Sequence, residues 1–509
     1  MRWAVFAVFL SALGCLAETR DIVVVHTSAV RGHVFSLRYR EHTAHHGGLL
    51  RCSTIIQRLR KEHPSALLID GGGLVSGSAE CELSAGRIPL RIAGTLGYDA
   101  RVFHPDELVH GLDAFNERQQ TSRIPLIAAN LEISPRAGPA RVQHQRYRAW
   151  VIDGARIVLT AVVLGAGEIS ADEMDPAYKI LPARASVNEV LREVRSLDAD
   201  ILLLAIYSTL ATDSENQISR FIAAQPEFDA VLIGADARLQ WSRASRRNVS
   251  HVFKDGLEVG VFKFLYDDEK RQILKTEVEY HGVGNDVPED ETVRQSVGPD
   301  LGRIEHALFS VVGYSNLQLG GTSSHEGQSG IQALVSAAIR ERFPCDVILL
   351  ERGGGGYLSK GAILSRDIYR AIPDLRNVAA VSLTAAELRS VLVENAGRVG
   401  SSSMLGIDGA RYDLVMQPDA IPTVQNLTID GRKPHGRARI RVLIETSQLE
   451  PDSGFNTLRA LRSKPEVRTE ILKVDTRKLV EEYVRSHSPL EVRATPGAKI
   501  VTGEGPREH

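Results

Sequence analysis

The sequence predicts an α/β protein with more than one domain. From Asp21 to about Gly284, short runs of aliphatic residues, such as Ile22–Val25 and Ile201–Leu204, alternate with stretches whose apolar spacing fits amphipathic helices. Continuous apolar runs of this length are typical of strands buried on both faces of a sheet. Strands that alternate with helices favour a layered α/β architecture. A chain of 509 residues is also too long for a single hydrophobic core.

A polar segment over residues 286–308 divides the chain, and we expect it to form a linker that contains a helix. The predicted domains therefore cover residues 18–285 and 309–485, and the second begins another α/β pattern. After about residue 486 the chain is rich in proline, glycine and charge. Such a composition predicts a disordered tail over residues 486–509.

The first 17 residues predict export. A short basic start leads into an apolar run that is typical of a signal peptide and too short for a good transmembrane helix. Two processing routes remain open. Cleavage after Ala17, which we favour, would release a periplasmic or extracellular protein that begins at Glu18. A weak lipobox, Ala12-Leu13-Gly14-Cys15, would instead leave a lipid anchor on Cys15, the one route by which we expect membrane attachment.

Charge and cysteine content exclude several classes of protein. The formal net charge is -2, so there is no basic surface for nucleic acid. Without the first 17 residues, the cysteines are Cys52, Cys81 and Cys345. They form neither a disulfide framework nor a CxxC motif, and we prefer buried thiols to a Cys52–Cys81 bridge.

The segment Val23-Val24-Val25-His26-Thr27-Ser28-Ala29-Val30-Arg31-Gly32 resembles the opening of the metallophosphatase domain of the 5'-nucleotidase family. In that family a strand runs into His-Thr-Asn-Asp-x-His-Gly, and the Asp and the second His bind metal. The equivalent positions here are Ala29 and Arg31. Farther along, Gly73 stands at the position of a bridging aspartate. At the other positions that align with ligands or with the catalytic histidine, this sequence has Pro105, Asp106, Tyr207, Ala235 and Ala237.

The resemblance implies a four-layer αββα metallophosphatase-like domain followed by a smaller α/β 5'-nucleotidase C-terminal domain. It also implies two divalent metals for phosphoester hydrolysis, but Ala, Gly and Pro side chains supply no ligand and Arg31 adds a repelling charge. We therefore expect no metal cofactor and no catalytic residue, and an exported, non-catalytic binding protein. The alternative is a hydrolase of nucleotide phosphoesters with an altered site. A structural role with an envelope protein partner is not separable from the first interpretation.

The second domain resembles the nucleotide-recognition domain of the same family. There, a loop with the sequence Asn-Gly-Gly-Gly-Ile-Arg faces the substrate, and two phenylalanine rings sandwich the base. One ring aligns with Phe455, and the other falls near Met404. The resemblance implies a nucleoside or nucleotide-like ligand, and the candidate binding residues are Arg352, Gly353, Gly354, Gly355, Gly356, Tyr357 and Phe455.

Other polar residues have simpler interpretations. A replacement metal site is conceivable at His33, His42, His45 and His46, but adjacent histidines cannot both face one ion from a regular helix, so we prefer a solvated loop. Asp70 is expected to end a strand. An acid or base role for Asp106, Glu107 or Asp236 needs burial and pairing, whereas carboxylates in loops are usually solvated.

Overall fold

A computed structural model describes most of the chain. The described residues are 19–38, 45–108, 112–133, 144–165, 178–209, 214–235, 248–320, 328–351, 356–372, 377–399, 404–416, 420–436, 438–449, 455–494 and 497–502.

The N-terminal region, residues 19–282, contains two large sheets. Its strands are β1 (Thr19–Thr27), β2 (Leu37–Arg38), β3 (His45–His46), β4 (Leu67–Asp70), β5 (Ala100–Val102), β6 (Leu126–Ile127), β7 (Leu131–Ile133), β8 (His144–Gln145), β9 (Tyr147–Ile152), β10 (Ala155–Leu164), β11 (Tyr178–Ile180), β12 (Ile201–Ser208), β13 (Ala230–Ala235), β14 (Val249–His251), β15 (Glu258–Asp267) and β16 (Gln272–Gly282). Its helices are α1 (Leu49–Glu62), α2 (Ala79–Leu83), α3 (Arg87–Leu96), α4 (Leu112–Ser122), α5 (Ala183–Val194) and α6 (Ser214–Ala223).

The two sheets pack face to face. One has the strand order β16-β15-β1-β4-β5-β6-β8, and the other has the order β14-β13-β12-β10-β9. Apolar residues of both sheets, such as Val24 and Leu203, share one buried core. The outer face of the first sheet packs against α1 and α3, and that of the second packs against α5 and α6. This confirms the predicted αββα layers, because strands buried on both faces need helices outside and a second sheet inside.

Helix α7 (Glu291–Phe309) follows the N-terminal region, within the segment predicted as a linker. Asp290 caps its start, and the side chain of that residue accepts a hydrogen bond from Val293 N. The helix is kinked at Gly298, which has non-helical backbone angles and precedes Pro299. Its apolar side chains are buried in the same core as α1 and α3, so the linker is packed against the N-terminal region.

The C-terminal region, residues 311–502, is a second α/β unit. Its strands are β17 (Val311–Ser315), β18 (Leu319–Gly320), β19 (Val347–Glu351), β20 (Tyr357–Leu358), β21 (Gly361–Leu364), β22 (Val378–Leu383), β23 (Leu405–Asp408), β24 (Ala410–Met416), β25 (Thr423–Ile429), β26 (Ile440–Glu445), β27 (Thr469–Leu472) and β28 (Ala498–Thr502). Its helices are α8 (Gly330–Arg342), α9 (Ser365–Ala371), α10 (Ala385–Ala396), α11 (Asn456–Arg462) and α12 (Thr476–Ser486). A central sheet with the order β23-β19-β26-β22-β27 is covered on both faces, by α10 and α11 and by α8 and α12.

The end of the chain corrects one expectation. Residues 498–502, predicted to be disordered, form β28, which pairs in parallel with β24. Leu490 and Ala498 are buried in the cores of the C-terminal region. Composition favoured disorder because the residues that stabilise this strand lie more than 80 positions earlier in the sequence. The predicted boundaries of the two domains stay predictions.

The described residues contain no helix that is both long and apolar enough to cross a membrane. Cys52 and Cys81 are separate, buried thiols, and Cys345 is a half-buried thiol. The Cys52 sulfur lies 3.2 Å from the carbonyl oxygen of Gly256, as a donor to it.

Candidate functional site

The candidate site lies at one edge of the two facing sheets. The parallel strands β1, β4 and β5 end there in the first sheet, and β12 and β13 end there in the second. Parallel strands place their carboxyl ends together, and loops at such ends commonly carry functional groups. We call this place the mouth, and it comprises residues 28–32, 70–78, 103–108, 207–208 and 234–235.

Tyr207 fills the centre of the mouth. Its side chain is fully buried at the end of β12, and three glycines surround its ring. A Cβ atom added to Gly72, Gly73 or Gly234 would lie 2.5, 2.7 or 2.7 Å, respectively, from an atom of that ring or its hydroxyl. Such distances are far below van der Waals contact, so only glycine leaves room for the tyrosine. The backbone of both sheets therefore closes around one aromatic side chain.

The loop after β1 is fixed to the glycine loop after β4. Ala29 N donates to the carbonyl oxygen of Gly72 (2.7 Å), and Arg31 N donates to that of Gly73 (2.6 Å). Ala29 and Arg31 both have positive φ angles, 50° and 55°. The side chain of Ala29 is buried. The guanidinium of Arg31 lies 3.7 Å from the Asp255 carboxylate, so a positive charge stands where the resemblance places a metal ligand.

Asp70 ends β4 as predicted, but its carboxyl group is completely buried. Gly72 N donates to its Oδ2 atom at 3.1 Å, and its Oδ1 atom has no hydrogen-bond partner among the described residues. Burial raises the pKa of Asp70 from its ordinary value to about 8, although the nearby Arg101 opposes that rise. Since desolvation penalises the charged form, this carboxyl is mainly protonated at neutral pH.

A buried ion pair lies next to Asp70 and was missed by the sequence analysis. Arg101 Nη1 lies 2.6 Å from a carboxylate oxygen of Glu107, and both side chains are about 1 % exposed. We expected Glu107 to be solvated, and that expectation is wrong because Arg101, six residues earlier, turns towards it. Asp106 is half-exposed, and its backbone N donates to His104 Nδ1 at 3.1 Å.

His104 completes this group. Its ring is buried and stands edge-on to Tyr207, with the ring centroids 4.5 Å apart. Among the described residues there is no group of three or more His, Cys, Asp or Glu side chains arranged to hold a metal ion. The mouth thus combines one aromatic ring, one protonated carboxyl and one internally paired ion pair. Asp236 and Ala237 lie outside the described residues.

The histidine-rich segment is divided between different structures. His33 lies between two buried carboxylates, with Nε2 3.5 Å from Asp255 and Nδ1 3.9 Å from Glu80. Because opposite ring nitrogens face these acids, the three groups do not converge on one point. His45 and His46 form β3, which pairs with β2. His42 lies outside the described residues.

The glycine loop of the C-terminal region is described only in part. Arg352, Gly353, Gly354 and Gly355 lie outside the described residues. Gly356 packs against the backbone of α9, because a Cβ atom there would be 2.3 Å from the carbonyl oxygen of Ala371. Tyr357 is half-buried on β20, and the guanidinium of Arg370 lies 4.7 Å from its ring centroid.

Phe455 lies in a different setting from Tyr357. Its ring is 1 % exposed and belongs to the core beneath α10 and α11. The guanidinium carbon of Arg398 lies 3.7 Å from its centroid. Glu394, one turn before Arg398, accepts hydrogen bonds from Asn456 N (2.8 Å) and Thr457 N (2.9 Å), which fixes the start of α11. Phe455 is thus a packed core residue with a cation against its ring. Met404, where the second ring was expected, is buried as well.

Comparisons with known proteins agree with this architecture. Residues 311–455 match the family model "5'-nucleotidase, C-terminal domain". Protein UshA of Escherichia coli is 29% identical over 118 residues, which is 22% of this chain and 20% of that protein. A 5'-nucleotidase of Vibrio cholerae is 19% identical over an alignment that covers 97% of both chains. The chain is also similar to the structure of a putative 5'-nucleotidase from Staphylococcus aureus, with a TM-score of 0.74, 14% identity, and coverage of 95% of this chain and 100% of that one.

Proposed function

Because this chain belongs to the 5'-nucleotidase family, we propose that it is a member that binds a nucleotide-like small molecule without hydrolysing it. The match to UshA spans about a fifth of that protein, so the activity of this chain has to be argued from its own residues. The observation that carries the proposal is the position of Tyr207, whose buried ring fills the mouth between Gly72, Gly73 and Gly234.

The residues of the mouth do not fit the two divalent metals that the family uses. Such ions need several imidazole and carboxylate ligands that converge on them. Ala29 and Gly73 supply none, and Arg31 brings a positive charge. Tyr207 occupies the space with a phenol, which is a poor ligand at neutral pH. Asp70 is a single buried carboxyl, and among the described residues it does not converge with other His, Cys, Asp or Glu side chains in a group that could hold a metal ion.

The second candidate is hydrolysis of nucleotide phosphoesters, and the full-length alignment with the Vibrio cholerae 5'-nucleotidase favours it. A family member of this fold ordinarily polarises a phosphoryl oxygen and activates water with its metals. In this chain Asp70, His104 and Asp106 are the described groups nearest to such a role. His104 would have to rearrange, because its ring packs edge-on against Tyr207.

Binding is assigned to the C-terminal region, at the loop that joins β19 to β20. In the sequence, residues 352–355 follow β19 directly, and Arg352 stands beside three of the glycines. Glycine amides can approach an anion closely, and an arginine beside them can pair with a phosphate or carboxylate. We also propose that the chain is exported, because its first 17 residues are typical of a signal peptide. A protein partner in the envelope is a further part of this proposal.

Phosphate release from AMP with added manganese separates the two candidates. We expect no release above the rate of a blank, together with a raised melting temperature when adenosine or AMP is present, because a ligand that binds only the folded state stabilises it. Metal-dependent turnover would overturn the proposal in favour of hydrolysis. No shift in melting temperature with any nucleoside would remove the binding role.

A further inference from the structure

The N-terminal and C-terminal regions contact each other through a small set of charged and aromatic side chains. Helices α9 and α12 of the C-terminal region face α2 and the loop at residues 33–36 of the N-terminal region. Regions that share only a modest polar interface are expected to move relative to one another. Whether these two regions move relative to one another depends on how deeply their contacts are buried and on how many partners each side chain has.

Arg477 makes the strongest of these contacts. It lies on α12, its side chain is 7% exposed, and its guanidinium pairs with Glu82 of α2. The same guanidinium donates from Nε to the carbonyl oxygen of Ile372 (2.5 Å) and lies 4.8 Å from the ring centroid of Tyr369. Three partners therefore fix its orientation. A largely desolvated, multiply bonded arginine is screened weakly by salt.

A second contact runs through two packed phenylalanine rings, each with an arginine against it. Arg366 of α9 donates to the carbonyl oxygen of Ser36 (3.1 Å), and its guanidinium lies 4.5 Å from the ring centroid of Phe309. Phe309 packs edge-on against Phe35, with the ring centroids 5.5 Å apart. The guanidinium carbon of Arg294, on α7, lies 5.8 Å from the ring centroid of Phe35. This ladder joins the N-terminal region, α7 and the C-terminal region.

The residues of the N-terminal region that make these contacts are connected to each other. Phe35 is buried, and its backbone N donates to the buried Glu80 of α2 (3.3 Å). Glu80 and Glu82 lie on the same short helix, which follows the glycine loop of the mouth. The two contacts therefore attach to neighbouring parts of the N-terminal region, which the Phe35–Glu80 hydrogen bond and α2 connect.

We propose that the Arg477–Glu82 pair and the Arg366 ladder form a latch that holds the two regions in a single relative orientation in solution. The two contacts stand on different elements of the C-terminal region, α12 and α9, so rotation about either one is blocked by the other. This inference is independent of whether the protein hydrolyses or binds nucleotides.

Distances between spin labels test the latch on the full chain. Labels are placed at Arg184→Cys and Glu466→Cys, which are exposed positions in the N-terminal and C-terminal regions. Cys345 is replaced by serine because it is only half-buried, whereas Cys52 and Cys81 are buried. Cys15 is replaced by serine as well, so that no further thiol takes a label. We expect one narrow distance distribution in the parent. The variant Glu82→Gln/Arg366→Ala should shift and broaden it, and Glu82→Gln alone should broaden it less.

A matched control carries the same substitution types away from the junction. Glu189→Gln/Arg146→Ala removes a surface pair within the N-terminal region and should leave the distribution unchanged. Circular dichroism checks that each variant is folded. If the double variant is unfolded, the comparison is made between the parent and Glu82→Gln alone. A broad or multiple distribution in the parent, or a double variant as narrow as the parent, would overturn the proposal.

Discussion

Replacing Gly73 by alanine tests directly whether Tyr207 fills the mouth. Gly73 has a φ of +74°, and a Cβ atom there would lie 2.7 Å from the Tyr207 hydroxyl and 2.9 Å from Cε2. A left-handed alanine costs about 1–2 kcal/mol. Overpacking against a fixed ring adds about 1–3 kcal/mol. We therefore expect Gly73→Ala to lower the free energy of unfolding by about 2–5 kcal/mol, the sum of the two effects.

Gly97→Ala is the matched control. Gly97 has nearly the same φ, +71°, but a Cβ atom there would meet only the flexible guanidinium of Arg60, at 3.3 Å. This variant should cost only the backbone part, about 1–2 kcal/mol. Equilibrium urea unfolding, followed by circular dichroism, measures both variants.

A double-mutant cycle completes the test. In a Tyr207→Ala background, Gly73→Ala should lose its steric part, which gives a coupling energy of about 1–3 kcal/mol. Gly97→Ala should show no such coupling. If Gly73→Ala costs the same as Gly97→Ala, or if the cycle shows no coupling, the tyrosine does not occupy the mouth and the argument against metal binding fails.

Three further predictions concern the buried groups near the mouth and in the C-terminal core. The pKa of Asp70 is raised to about 8 in the folded state, so its contribution to stability is complete below the unfolded pKa and is lost as pH rises through about 8. Asp70→Asn should thus be more stable than the parent at pH 8, by on the order of 5 kcal/mol, with the difference nearly vanishing towards pH 4. Thermal melts across that range check it, and a pH-independent difference would contradict it. Glu107→Gln leaves Arg101 buried without its anionic partner and should lower the free energy of unfolding by about 3–5 kcal/mol. Glu189→Gln, on the surface, should lower it by less than about 1 kcal/mol. Equal losses for the two variants in urea unfolding would show that burial of the Arg101–Glu107 pair does not matter. Phe455→Ala should destabilise the C-terminal region by about 3–5 kcal/mol because the ring is a packed core residue, and a neutral effect would show that the ring is not part of that core.

Local patterns were sufficient to predict the layers of the fold. The apolar runs that form β1 and β12 can be recognised in the sequence, since a strand buried on both faces needs apolar residues at every position.

At the mouth, the sequence predicts which metal-ligand positions carry other residues, but it does not predict how those residues pack. Substitutions at Ala29, Gly73 and Tyr207 are visible in one sequence, but the packing of Tyr207 against Gly234 depends on pairing between β12 and β13. The same limit applies to Glu107, which looks like a solvated carboxylate until the turn after β5 brings Arg101 to it. Strand β28 was missed for this reason too, because its partner β24 is distant in sequence.

We propose that the mouth does not hold the two divalent metals that the family uses. The most direct measurement is the metal content of the purified full-length chain after incubation with manganese and removal of the unbound ion, read by elemental analysis. We predict a trace content, no higher than that of a Gly73→Ala control. A content that is stoichiometric with the protein, and is lost on adding a chelator, would contradict the account.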